Sequence, residues 1–295
     1  MTNARLALLL TMIAAAPLTA QVGVRASSST SARSDDAIVI EGRKRELVQA
    51  LKTLVQPSTH EQLARFEDKI CPMVIGMPRD WTPRLTKIIR DNVLAVGGTL
   101  QPAGCKPNAL AIFIDQPREL VDALHKDAPF YFTMSPRQYD NFAAASGPVW
   151  SWHVTDMRDR DGTQLAMGQI NGHDFAVAKN AAATRLYSNV REDMLVGFVV
   201  IDRQRTLGKS LRQLGDLATM HLLLDVKPDA GKRNKGSILS LFEADAATPD
   251  RMSRFDKGAL TGFYTQRENN RSATQQRENI AEAIRRGAGE EKDKK

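Results

Sequence analysis

A helix predicted at residues 206–224, TLGKSLRQLGDLATMHLLL, sets the first requirement on the fold because it is apolar on almost every side. Its apolar residues form two stripes, which are Leu207, Leu211, Leu214, Ala218 and Leu222 on one and Leu217, Met220 and Leu224 on the other. Such a helix must be packed from several directions, so we expect it at the centre of the protein.

Two polar residues, Gln213 and Asp216, lie inside this helix, and buried polar groups need hydrogen-bond partners. Arg212 is the simplest partner for Asp216, because residues four apart share a helix face. Two interpretations stay open. The polar residues form a structural network beside the core, or they belong to a remodelled pocket that also contains His153 or His221.

The first 20 residues have the layout of a secretory signal peptide. Arg5 precedes an apolar run from Leu6 to Ala16, and small residues lead to a cleavage point before Gln21. The run is shorter than the ~20 residues that span a bilayer, although an uncleaved anchor remains the alternative. We therefore expect export to the periplasm or the extracellular space, with no membrane span after cleavage and a flexible linker at residues 21–37.

Cys71 and Cys105 are the only cysteines in the sequence, and thiols of exported proteins become oxidised. A metal site would need closely spaced cysteines or added histidines, whereas these two residues are 34 apart with no histidine between them. We predict a structural disulfide, with a free nucleophile and a metal pair as the alternatives.

The remaining patterns predict an α+β fold with two parts joined by a connecting segment at residues 127–147. Residues 38–126 read as a small β-α-β-α unit that carries the disulfide. Residues 148–265 read as an antiparallel meander packed on the long central helix, with Asp161-Gly162 and Asn171-Gly172 as hairpin turns. Residues 266–295 are charged and poor in large apolar residues, so we expect a largely disordered tail, with one short helix marked by Ile280 and Ile284 as the alternative.

No motif in the sequence points to a cofactor or a bound metal. The five histidines contain no HExxH spacing, and the calcium-loop-like stretch MRDRDGTQLAMG has Met157 and Gly168 where acidic ligands are needed. A GxSxG elbow is absent, although His153 with Asp156 could orient a serine. The net charge of +7 is spread along the chain without interleaved aromatics, so we predict no nucleic-acid partner.

The stretches ICPMVIGM, GCKPNALAIFID, RLYSNVREDMLVGFVVIDRQRTLGKSLRQLGDLATMHLLL, SILSLFE and MSRFDKGALTGFY resemble a group of uncharacterised exported proteins from alphaproteobacteria. The resemblance covers most of residues 38–265 and includes both cysteines. The order of strand, long helix, loop and final helix also resembles the core of zincin-type peptidases. In those enzymes the long helix carries zinc-binding histidines, and here that helix reads LRQLGDLATM, so the resemblance implies a zincin-like pseudoenzyme.

We therefore expect a non-catalytic exported protein that binds or scaffolds an unidentified envelope protein or polymer without a cofactor. The alternative is a metal-independent hydrolase acting on envelope or extracellular substrates. The candidate site residues are Gln213, Asp216, His153 and His221, and the discriminating observation is whether polar side chains converge in a cleft beside the long helix.

Overall fold

The computed structural model describes residues 44–58, 60–179, 187–247 and 249–292. The predicted signal peptide, the linker and a short strand that the stretch AIVIEG predicts at residues 37–42 lie outside these ranges. The first half of the described chain contains α1 (Lys44–Leu54), β1 (Pro72–Ile75), α2 (Thr82–Ala95), β2 (Ala109–Ile114), α3 (Pro117–Asp127) and α4 (Pro136–Ala143). The predicted β-α-β-α unit corresponds in the described chain to the alternating helices and strands from α1 to α3.

The second half contains the longer strands and the central helix. Its elements are β3 (Val149–Asp159), β4 (Ala166–Ile170), β5 (His173–Val177), β6 (Val190–Asp202), α5 (Leu211–Leu223), α6 (Ala230–Arg233), α7 (Arg254–Tyr264) and α8 (Ala273–Lys292). The central helix α5 begins later than predicted, because Ser210 caps it with a reciprocal side-chain contact to Gln213. Leu207 therefore lies outside the helix and is 77% exposed.

The central sheet has the strand order β1-β2-β6-β3, in which β1, β2 and β6 are parallel and β3 is an antiparallel edge strand. The α+β class is confirmed, whereas the predicted antiparallel meander is formed only in part. Strands β4 and β5 pair only with each other in a separate sheet, and β6 lies between β2 and β3. A continuous apolar strand such as β6 suits a central position, whereas the largely exposed β4 and β5 do not. The two predicted parts therefore share one sheet.

Helices cover both faces of this sheet. On one face, α5 packs against α2 and against inward-facing residues of β2 and β6. Gly215 permits the close approach of α5 to α2, since a Cβ atom there would lie 2.5 Å from Ile88 Cγ2. On the other face, α3 and the segment around Phe132 enclose an aromatic cluster that includes Trp150, Trp152 and Phe198.

The C-terminal segment corrects a second expectation, because α8 is a helix packed into the core rather than a largely disordered tail. Ile280 and Ala281 are almost fully buried, and Gln276 Oε1 accepts a hydrogen bond from the Leu63 backbone N–H at 2.7 Å. Arg277 Nη2 donates to Val55 O at 3.0 Å. Composition was misleading here because a few small apolar residues on one helix face suffice when neighbouring polar side chains satisfy buried backbone groups.

The predicted disulfide is confirmed, and Cys71 is bonded to Cys105 with their Cα atoms 6.1 Å apart. It ties the residue preceding β1 to the loop preceding β2. The bridge uses both cysteines of the sequence, so neither can act as a free nucleophile. Within the described ranges, no helix is both long enough and apolar enough to cross a membrane.

Candidate functional site

Two cavities lie beside the edge strand β3 and have four lining residues in common. The first cavity, about 210 Å³ in volume, lies between β3 and the segments at residues 56–58 and 225–228, and α4 closes one side. The second cavity, about 440 Å³, follows the start of β3 towards α6. Phe142, Ser151, Val226 and Pro228 line both cavities, so the two form adjoining compartments.

Ser151 and His221 form a hydrogen-bonded pair between the two cavities. The alternation of β3 directs Ser151 and His153 towards the face that α5 covers, and Ser151 Oγ lies 2.8 Å from His221 Nδ1. Burial lowers the pKa of His221 to about 3, and the neighbouring His153 adds to this effect. His221 is therefore neutral at pH 7 and is a weak base.

His153 presents an unpartnered acceptor. Its Nε2 donates to Leu222 O at 2.9 Å, and burial lowers its pKa to about 4, so the neutral ring carries its proton on Nε2 at pH 7. Nδ1 is then an acceptor, and it is buried without a hydrogen-bond partner among the described residues. Gly197 permits this arrangement, because a Cβ atom there would lie 3.1 Å from both Leu222 O and His153 Cδ2.

Two carboxyl groups complete the first cavity. Glu192 is 5% exposed, accepts a hydrogen bond from Thr155 Oγ1 at 2.7 Å and lies 3.2 Å from His60 Nδ1. Asp225 is half-buried and accepts from Gln56 Nε2 at 2.8 Å. Burial raises the pKa of Asp225 to about 7; the Gln56 hydrogen bond opposes this rise and the charge of Glu192 adds to it. Among its described lining residues the charged groups are these two carboxyls, so we call it the acidic cavity.

The other two predicted candidates have different surroundings. Asp216 is fully buried, and its carboxylate accepts hydrogen bonds from Asn92 Nδ2 at 2.8 Å and from the Met252 backbone N–H at 2.7 Å. The predicted partner Arg212 is confirmed, with Nη2 2.8 Å from Asp216 Oδ1. Gln213 caps α5 and donates to Pro249 O at 2.7 Å.

The structure thus brings His153 and His221 together at the cavities, whereas Gln213 and Asp216 line neither cavity. Three further residues of the cavities, Ser151, Glu192 and Asp225, were not predicted from the sequence. Ser151 could have been found, because it shares the polar face of VWSWHVTD with His153. Glu192 and Asp225 gave no comparable signal, because Glu192 lies on β6 and Asp225 follows α5, and they meet only in the folded protein.

Within the described part of the chain, no group of three or more histidine, cysteine, aspartate or glutamate residues is arranged to hold a metal ion. No protein-family model matches the sequence, and no curated protein or solved structure is significantly similar to it.

The raised pKa of Asp225 makes the stability of the protein depend on pH. Between about pH 4 and 7 the folded state holds a proton that the unfolded state releases, so Asp225 lowers stability as pH rises through this window. Asp225→Asn should therefore leave stability unchanged near pH 3.5 and increase it by about 1–2 kcal/mol at pH 8, a figure reduced for partial solvent screening.

Urea unfolding of both proteins from pH 3.5 to 8 measures this difference. His153 and His221 have the opposite effect, because their lowered pKa values make stability rise with pH. Both histidines are present in the wild type and in the variant, so their contributions cancel in the difference between the two. A difference that is constant across the range would contradict the assignment. Asp245→Asn, at an exposed carboxyl, is the control.

Proposed function

We propose that the protein is a non-catalytic binding protein whose acidic cavity holds the ammonium group of a small ligand. The observation that carries this proposal is that Asp225, Glu192 and His153, whose buried Nδ1 has no partner among the described residues, line one cavity. A primary ammonium has three N–H donors, and these side chains offer three acceptors of suitable chemistry. Binding would also remove the cost of leaving a buried acceptor unpaired.

Trp152, one of the two aromatic rings that line the acidic cavity, argues against a quaternary ammonium ligand. Cages for such cations present open aromatic faces. Trp152 lines the acidic cavity, but its ring is stacked between Phe132 and Phe198, with centroids 4.9 and 4.8 Å away. Both faces of the indole are therefore covered, and hydrogen bonding to carboxylates becomes the main source of selectivity for a primary amine.

Butylamine is a suitable probe, with butanol and tetramethylammonium as neutral and quaternary comparisons. For so small a molecule we expect a free energy of about −4 kcal/mol, or a Kd of about 1 mM. Thermal shift and ligand-observed NMR should detect butylamine but neither comparison compound. Binding should be stronger at pH 8 than at pH 5.5, because Asp225 must lose its proton to accept an ammonium.

Asp225→Asn should abolish this binding, whereas Asp245→Asn should not, since Asp245 is an exposed carboxylate paired with Lys235. Equal binding of butylamine and butanol, or full binding by Asp225→Asn, would refute the proposal.

A metal-independent hydrolase is the second candidate function, and the 2.8 Å contact between Ser151 and His221 favours it. The chemistry is unfavourable, however, because a histidine with a pKa of about 3 accepts a proton poorly at pH 7. Ester hydrolysis by the wild type that disappears in Ser151→Ala would establish this function.

We further propose that the protein is exported and acts in the periplasm or outside the cell. The disulfide is consistent with an oxidising compartment. The proposed partner is an unidentified envelope protein or polymer, and the resemblance to zincin-type peptidases would make the fold a peptidase-like scaffold without its metal. N-terminal sequencing of exported protein tests the predicted signal peptide. A first residue of Gln21 supports its cleavage, and a first residue of Met1 contradicts it.

A further inference from the structure

The second cavity differs in charge from the acidic cavity that it adjoins. Lys227 and Lys232 line it, together with Asp229, Glu243 and the neutral His221. Asp229 is paired with Arg233, so its charge is already balanced. Lys232 also interacts electrostatically with Asp245, but Asp245 is itself paired with Lys235. Two lysines and the carboxylate of Glu243 then remain among the charged lining residues, which makes this compartment the more favourable of the two for an anionic group. We call it the lysine cavity.

The segment at residues 225–227 connects the two cavities. Val226 bridges to Val55 in antiparallel fashion, and the flanking backbone contacts are Gln56 N–H to Asp225 O at 2.9 Å and Lys227 N–H to Leu54 O at 3.0 Å. The segment is therefore extended. The side chains of Asp225 and Lys227 lie on the same side of it, about 7 Å apart. Asp225 lines the acidic cavity and Lys227 the lysine cavity.

We infer that the ligand is a zwitterion of dipeptide size, with its ammonium in the acidic cavity and its carboxylate against Lys227 and Lys232. This inference rests on the proposed function. The distance between Asp225 and Lys227 determines the size of the ligand. Two extended residues span about 7 Å, whereas a single amino acid places its ammonium and its carboxylate much closer together. Ser151, which lines both cavities, lies where the central amide of such a ligand would pass.

The probes are glycylglycine, glycylglycine amide and glycine, titrated at pH 7 and low ionic strength into the mature protein. We expect glycylglycine to bind about tenfold more tightly than its amide, as for one added charge-assisted contact, and more tightly than glycine. The double variant Lys227→Met/Lys232→Met should bring glycylglycine to the affinity of the amide and leave the amide unchanged. Lys87→Met, at an exposed lysine of α2, is the matched control and should change neither value.

The outcomes separate the two proposals. If the amide and butylamine bind but the free carboxylate adds nothing, or the double lysine variant keeps the full preference, the zwitterion inference is overturned and the ammonium site stands. If neither amine binds the wild type, both proposals are overturned. We expect the double variant to fold, since both changes lie at the cavity surface. Circular dichroism melting checks this.

Discussion

Asp216→Ala is expected to reduce the free energy of unfolding by about 3–5 kcal/mol, a large effect for the loss of one side chain. The carboxylate is fully buried and joins three separate elements: Asn92 of α2, Arg212 of α5 and the backbone N–H of Met252 ahead of α7. Its removal leaves the Met252 N–H without its acceptor and takes one of the two acceptors of Asn92 Nδ2, which also donates to Thr219 Oγ1 at 3.0 Å. A buried donor that loses its acceptor is costly.

Urea unfolding followed by circular dichroism measures this loss. Asp216→Asn is the companion variant, because its amide oxygen can still accept one hydrogen bond, and it should lose less than the alanine variant. The matched control is Asp91→Ala, which breaks an exposed pair with Lys87 at the same four-residue spacing and should change stability by less than about 0.5 kcal/mol. Similar losses for Asp216→Ala and Asp91→Ala would refute the structural role of the network.

Loss of the disulfide is expected to cause the second large decrease in stability. Replacing both Cys71 and Cys105 by serine should destabilise the protein by about 3–4 kcal/mol, because the bridge closes a loop of roughly 35 residues and restricts the unfolded chain. Loss of the bridge should act mainly on the unfolded state, so the cavities beside β3 should retain their affinity for butylamine under conditions where the variant is folded.

Unfolding of the oxidised wild type and of the double serine variant gives the comparison. Adding a reductant to the unfolded wild type and allowing it to refold should reproduce the stability of the variant. Equal midpoints with and without the bridge would show that the cross-link contributes nothing to folding.

Much of the local structure was predictable because it depends on neighbours in sequence. The periodicity of Leu47, Leu51 and Leu54 identified α1, and the continuous apolar run of β2 identified a buried strand. The cysteine pair was also predictable, as was the Arg212–Asp216 contact, which requires only helical spacing.

Strand order and the tail were not predictable in the same way. The alternation of β3 gives the two faces of the strand but does not identify its neighbour. In the structure β6 pairs with β2 on one side and with β3 on the other. The acidic cavity depends on that choice, since Glu192 of β6 reaches Thr155 of β3 only through this pairing. Gln276 and Arg277 of α8 are of residue types that usually lie at the surface. Each nevertheless bonds to the backbone of a segment more than 200 residues earlier.

The packing of α8 against α1 and α7 determines when the protein can become native during synthesis. The first helix of the described chain finds part of its core partner in the last one, so no N-terminal portion can complete its packing while the C-terminal residues are still being made. Residues 44–54 and 273–292 must therefore both be available before this part of the core can form, so the described chain completes its packing late in synthesis.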